Sequence, residues 1–162
     1  MSKQEFLNQC IAEEQQYTFP SFTKNDIWEL GCCLVNACRE KDGPLAVTIS
    51  LGSLEVFRYY PDGTSPYHEM WLNRKKRTVY VMERSTMRLK AELELSGSNL
   101  SQEGLNEVEF VACGGGFPLR IRGGCVIGFI GVSGMDDEAD QSALLDGLHR
   151  FFEKRGLVEP KT

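Results

Sequence analysis

The stretch Cys125–Val132 constrains this chain more than any other. It reads Cys-Val-Ile-Gly-Phe-Ile-Gly-Val, which is strand length and carries no charge. Successive side chains of a strand point to opposite faces. One face here holds Val126, Gly128, Ile130 and Val132, and the other holds Ile127, Phe129 and Gly131. Neither face is polar, so both must be covered. Helices are therefore expected on both sides of a sheet, in three layers.

The remaining pattern supplies those helices. Residues 2–17 place Phe6, Leu7, Cys10 and Ile11 at helical spacing. Thr23-x-x-Asp26 resembles a capping box and opens a second helix bearing Ile27, Leu30, Leu34, Val35 and Cys38. Asp42-Gly43-Pro44 stops it. Leu45–Leu51 and Leu54–Tyr59 read as a hairpin turned at Gly52-Ser53. One long helix is expected from about Tyr67 to Leu93, then a polar surface loop from Ser96 to Gly104. Glu109–Ala112, Pro118–Arg122 and Cys125–Val132 read as three more strands. A last helix from about Asp136 to Arg155 ends at Gly156. The expected class is α/β (α+β): a mainly antiparallel five-stranded sheet between helices, in one domain over 1–162 with its core at about 23–155.

Charge and composition remove several functions. A net charge of −5 argues against nucleic-acid binding, which needs a basic face. No stretch approaches a membrane span, and the N-terminus lacks an apolar core of signal-peptide length. A cytoplasmic location is expected. The six cysteines include no Cys-x-x-Cys pair, so they read as reduced, structural thiols.

Three constellations carry chemical interest. Lys75 falls within the apolar stripe Trp71, Leu72, Val79, Met82, Leu89, with His68 on the same side and Arg74 outside. A lysine there needs a carboxylate or carbonyl partner at an oligomer interface, or else a ligand anion. Cys113-Gly-Gly-Gly-Phe-Pro118 is either a tight turn or a nest of amides for an anion. Gly128 and Gly131 imply close approach of a helix or a ligand. Ser133 and the acids Asp136, Asp137, Glu138 and Asp140 read as the cap of the last helix. His68 and His149 lie far apart in sequence and suggest no metal cluster; His149 reads as a dipole partner at a helix C-terminus.

Two of these stretches resemble a known family. Trp71-x-x-Arg74-Lys75-x-x-x-Val79, and Gly115-x-Phe117-Pro118-Leu119 followed by Gly128-x-Ile130-Gly131-Val132-Ser133-Gly134, are similar to the heme-degrading-domain family, also called GlcG/HbpS-like. The match is to a branch of uncharacterised stand-alone proteins. The resemblance implies a profilin-like fold, homo-oligomers and heme or another tetrapyrrole as ligand, in some relatives a substrate for degradation. Trp71 and Phe117 would line the pocket. Lys75 and Arg74 would neutralise carboxylates, beside Gly115 and Gly116. Cys113 or His68 would approach iron. The branch often carries histidine where this chain has Cys113 and Gln141. Two rival readings stand beside this one: a non-enzymatic homo-oligomeric interaction protein, and a sensor or enzyme for a small carboxylate.

Overall fold

The computed structural model describes residues 1–161. In chain order it contains α1 (Lys3–Gln16), α2 (Asp26–Arg39), β1 (Ala46–Leu51), β2 (Leu54–Tyr59), α3 (Pro66–Met82), α4 (Thr86–Ser96), β3 (Gly116–Arg120), β4 (Val126–Ser133) and α5 (Asp137–Lys154). All pairings in the sheet are antiparallel, in the order β2-β1-β4-β3.

The two apolar faces of β4 are covered as its composition requires. Ile130 and Val132 join Val47, Ile49, Phe117 and Leu119 beneath α2 and α5, whose Leu34, Leu144, Leu148 and Phe152 complete the main core. Phe129 lies on the opposite face with Ala46, beneath Leu72 and Val79 of α3. Gly131 shows why that face needs a small residue. A side chain there would begin 2.8 Å from Leu72 Cδ2. Gly131 thus admits the helix, whereas Gly128 admits the neighbouring strand, its β-carbon position lying 2.2 Å from the Ser50 carbonyl oxygen.

The sheet has four strands where five were expected. Glu109 lies in a turn, and Phe110–Ala112 follows it without regular structure or a strand partner. Its backbone is satisfied by α3 instead. Thr78 Oγ1 accepts from the Val111 amide at 3.0 Å and donates to the Val111 carbonyl at 2.9 Å. Arg74 donates to the carbonyls of Glu107 and Phe110. With both backbone groups of Val111 and the Phe110 carbonyl occupied, the centre of the segment is held to α3 and not to a sheet edge.

The single long helix is also two. Glu83 takes the left-handed conformation (φ 52°), and Ser85 begins α4 by accepting from the Arg88 amide at 3.1 Å. Arg120 of β3 donates to the Glu83 carbonyl. The start of α2 is half of the expected box. Asp26 accepts from the Thr23 amide at 2.7 Å, while Asn25 occupies the cap position without a side-chain bond.

The edges of the sheet differ. Along β3, Phe19 donates to the Arg120 carbonyl (2.9 Å) and accepts from the Arg122 amide (2.7 Å), so a connector closes that side. β2 forms the other edge, and the β1–β2 ladder is interrupted by a bulge at Ile49/Ser50. No helix among the described residues is long and apolar enough to cross a membrane.

Candidate functional site

The first two turns of α3 face the turn between β4 and α5. Ser65 caps the helix, and the Ser65 amide donates to His68 Nδ1 at 3.0 Å. That bond orients the ring and, with Nδ1 accepting, places the neutral imidazole's proton on Nε2. Trp71 lies close to one turn further on, edge to face with Tyr67 at 6.2 Å between centroids. Arg74 stacks over Trp71 at 4.3 Å.

Lys75 follows on the same side and is only 1 % exposed. Its ammonium donates to Asp140 Oδ2 at 3.0 Å and to the Val132 carbonyl at 2.9 Å. Asp140 Oδ1 also accepts from the Met135 amide at 2.9 Å. Burial pushes the Asp140 carboxyl above the ordinary carboxylate range, against the opposing pull of Lys75 and these amides. The lysine therefore finds its partner within the chain. Its charge is already matched, and no ligand anion is needed to explain it.

The glycine turn packs directly on this pair. Gly115 has φ 105°, and a β-carbon there would lie 2.3 Å from the Val132 carbonyl oxygen and 2.7 Å from Lys75 Nζ. Only glycine suits both constraints. The amides of the turn are all engaged by side chains. Gly114 donates to Asp137, Gly115 to Gln141 Oε1 at 2.9 Å, and Gly116 to Thr86 Oγ1 at 2.9 Å. The turn is thus a structural hub with no amides left over for an anion.

The acidic run divides its labour. Asp136 caps α5 by accepting from the Ala139 amide at 2.8 Å, as a capping reading requires. Asp137 turns to the glycine turn and Lys90, and Asp140 turns to Lys75. Ser133 is the last residue of β4, with no capping role.

A cavity of about 300 Å³ remains between these parts. It is lined by Tyr67, His68, Trp71, Lys75, Cys113 and the Ser133–Met135 turn, with Asp137 and Asp140 at its side. Five residues named from the sequence thus fall at or beside one place: His68, Trp71, Arg74, Lys75 and Cys113. Gly115 and Gly116 are buried behind it. Phe117 does not join them. Its side chain is 1 % exposed and belongs to the core on the opposite face of the sheet, because one residue along a strand reverses the direction. Burial raises the Cys113 thiol above its usual range, partly offset by the Lys75 charge, so the free thiol is held protonated.

Tyr67, Asp140 and Gln141 belong to the site and were not marked for it by pattern. Asp140 had a usable signal: a lysine in an apolar stripe demands an acid, and the run after β4 supplies one. His149 proves structural. Its Nε2 faces the Glu159 carbonyl at 3.1 Å and its Nδ1 meets the Tyr17 hydroxyl at 2.9 Å. All six cysteines are free.

Comparison with known proteins agrees with this picture. The family model described as "Haem degrading protein HbpS-like" matches residues 22–149. A UPF0303 protein of Edwardsiella ictaluri is 32% identical over 152 residues, covering 93% of this chain and 97% of that one. A UPF0303 protein of Streptomyces avermitilis is 30% identical over 141 residues, 86% of each. Among solved structures, the Ybr137w protein superposes with a TM-score of 0.82 at 22% identity, over 92% of this chain and 88% of the other. The PduOC:heme complex gives a TM-score of 0.67 at 22% identity, over 80% and 94%. These two structures establish a shared fold. With a family model spanning most of its length and UPF0303 proteins as relatives of this identity, the chain belongs to the HbpS-like family.

Proposed function

We propose that this protein binds heme or a related tetrapyrrole at the cavity between α3 and the β4–α5 turn. The observation that carries the reading is the meeting of His68, Trp71 and Cys113 on one cavity, although 45 residues separate His68 from Cys113 in the chain. The family and the solved PduOC:heme complex support the ligand class.

The residues fit the group in a particular way. Cys113 would hold iron as its thiolate, and His68 would hold it through Nε2 once the ring proton moved to Nδ1 and released the Ser65 amide. Tyr67 and Trp71 would hold the flat ring. Lys75 is unsuited to the propionates, because Asp140 and Val132 already occupy it. Bound heme would supply the iron chemistry on which degradation depends. The chain's own part would be to present these side chains beside the aromatic wall of Tyr67 and Trp71. A cytosolic location suits the free thiols.

Heme titration into the purified protein tests this. The expected result is a saturable Soret shift near stoichiometric heme that moves or disappears in His68→Ala and Cys113→Ser. A Soret band that never saturates near stoichiometry sinks the proposal. Loss of the band on adding a reductant and oxygen would extend the reading from binding to degradation.

A second reading rests on a different observation. The outer side of α3 exposes Tyr67 (60%), Met70 (45%) and Val81 (58%), and Val108 (83%) lies in the loop that Arg74 holds against that helix. We infer that a second copy of the chain covers this apolar face. Light scattering on a sizing column should give an oligomer that Met70→Asp with Val81→Asp reduces to monomer. A wild-type monomer at micromolar concentration counts against it. The small-carboxylate reading loses its basis, since both Lys75 and the glycine amides are engaged.

A further inference from the structure

A second cleft lies on the far side of the glycine turn. It occupies about 600 Å³ between α1, α4 and the first turns of α5. This volume suits a small molecule. Phe6, Cys10, Met87 and Leu145 give it an apolar lining. Cys10 and Met87 are nearly fully buried, at 2 % and 5 % exposure, whereas Phe6 and Leu145 are only partly covered.

The charges around the cleft are unbalanced. Lys90 is spent on Asp137. Lys3 lies at the other end, where its ammonium donates to the Glu94 carbonyl at 3.0 Å. Glu13 and Glu138, from the two facing helices, have no basic partner among the described residues. Glu13 accepts only from the Gln9 amide group, at 2.9 Å. Its neighbour Glu14 takes the nearby arginine, Arg88, at 2.7 Å. Burial pushes the Glu13 carboxyl above its usual range. A cation beside it would offset that cost of desolvation.

We propose that this cleft binds a small amphiphilic amine, its apolar body against Phe6, Met87 and Leu145 and its ammonium at Glu13. Hydrocarbon burial supplies most of the affinity, and the carboxylates set the sign of the head group. The cleft also touches Gln141, whose Oε1 holds the Gly115 amide. Gln141 is therefore the residue through which the cleft adjoins the glycine turn.

Calorimetric titration with octylamine and with octanoate, which share a chain and differ in head charge, tests the proposal. Octylamine is expected to bind saturably, with octanoate about tenfold weaker or worse. Glu13→Gln should erase that preference while circular dichroism shows an unchanged fold. Leu145→Trp should block both ligands. If that variant does not fold, amide shifts in the wild-type protein serve instead, and they must cluster at Phe6, Gln9, Cys10 and Gln141. Equal binding of the two probes, no saturable octylamine binding, or a preference that survives Glu13→Gln overturns the proposal.

Discussion

At the scale of single residues, the Lys75–Asp140 pair organises the site. Both groups are almost wholly removed from water, at 2% and 5% side-chain exposure. Removing one partner leaves a bare buried charge, so Lys75→Met or Asp140→Leu should each cost about 3–5 kcal/mol in urea unfolding. The double variant should recover most of that loss. A deficit of about 1–3 kcal/mol should remain, because the Met135 amide then has no acceptor. Single variants costing less than about 1 kcal/mol would mean that the pair is not buried in solution. The lysine was legible in the sequence because it breaks an apolar stripe. Its partner was not, because 65 residues separate the two and helical acids also serve as caps. Gly115 was legible as a turn, but the glycine amides were not legible as already engaged. That depended on Thr86, Asp137 and Gln141 arriving from two other helices.

At the scale of elements, the errors share a cause. Hydrophobic pattern assigned Glu109–Ala112 to the sheet as a short apolar run, and it joined α3 to α4 because apolar residues continue through the break. Side-chain bonds to the backbone override the pattern in both places. Thr78 takes the Val111 backbone, and Ser85 caps a fresh helix three residues after Met82. Thr78→Val keeps the shape and removes the hydroxyl, leaving a buried amide unpaired. It should cost about 1–3 kcal/mol and speed amide exchange at Val111. Unchanged exchange there would show that the segment is held by packing instead. Among the elements read correctly, β1, β4, α2 and α5 each present one or two continuous apolar faces to the core, whereas β2 was read correctly although none of its residues is fully buried.

At the scale of the molecule, distant ends are tied by charge. Arg155, at the end of α5, meets Asp26 at 2.8 Å and Glu29 at 2.9 Å, at the start of α2. For Asp26, partial burial works to raise the carboxyl, but the Thr23 amide and Arg155 outweigh it and hold it below the usual range. A carboxyl lowered in the folded state stabilises above its unfolded pKa, and that contribution is lost as the pH falls through the folded value. Asp26→Asn should therefore cost about 1 kcal/mol at neutral pH, and the difference from wild type should vanish in acid. A difference that persists unchanged in acid would assign the effect to packing. The layered arrangement was legible from β4 alone. The α1 helix was legible as a helix, but its place was not. It lies outside the family match and is anchored by Glu14, which accepts from the Ser85 amide and from Arg88.

The unlike edges of the sheet give the molecule a direction. Phe19 acts as a terminator beside β3, returning both of its backbone groups to the chain. Among the described residues no connector bridges to the outer side of β2. Lengthening of this sheet by an added strand, whether from a ligand peptide or from a misfolded copy, is consequently a one-sided event. A proline placed in β2 would arrest it, and the same residue placed in β3 would not.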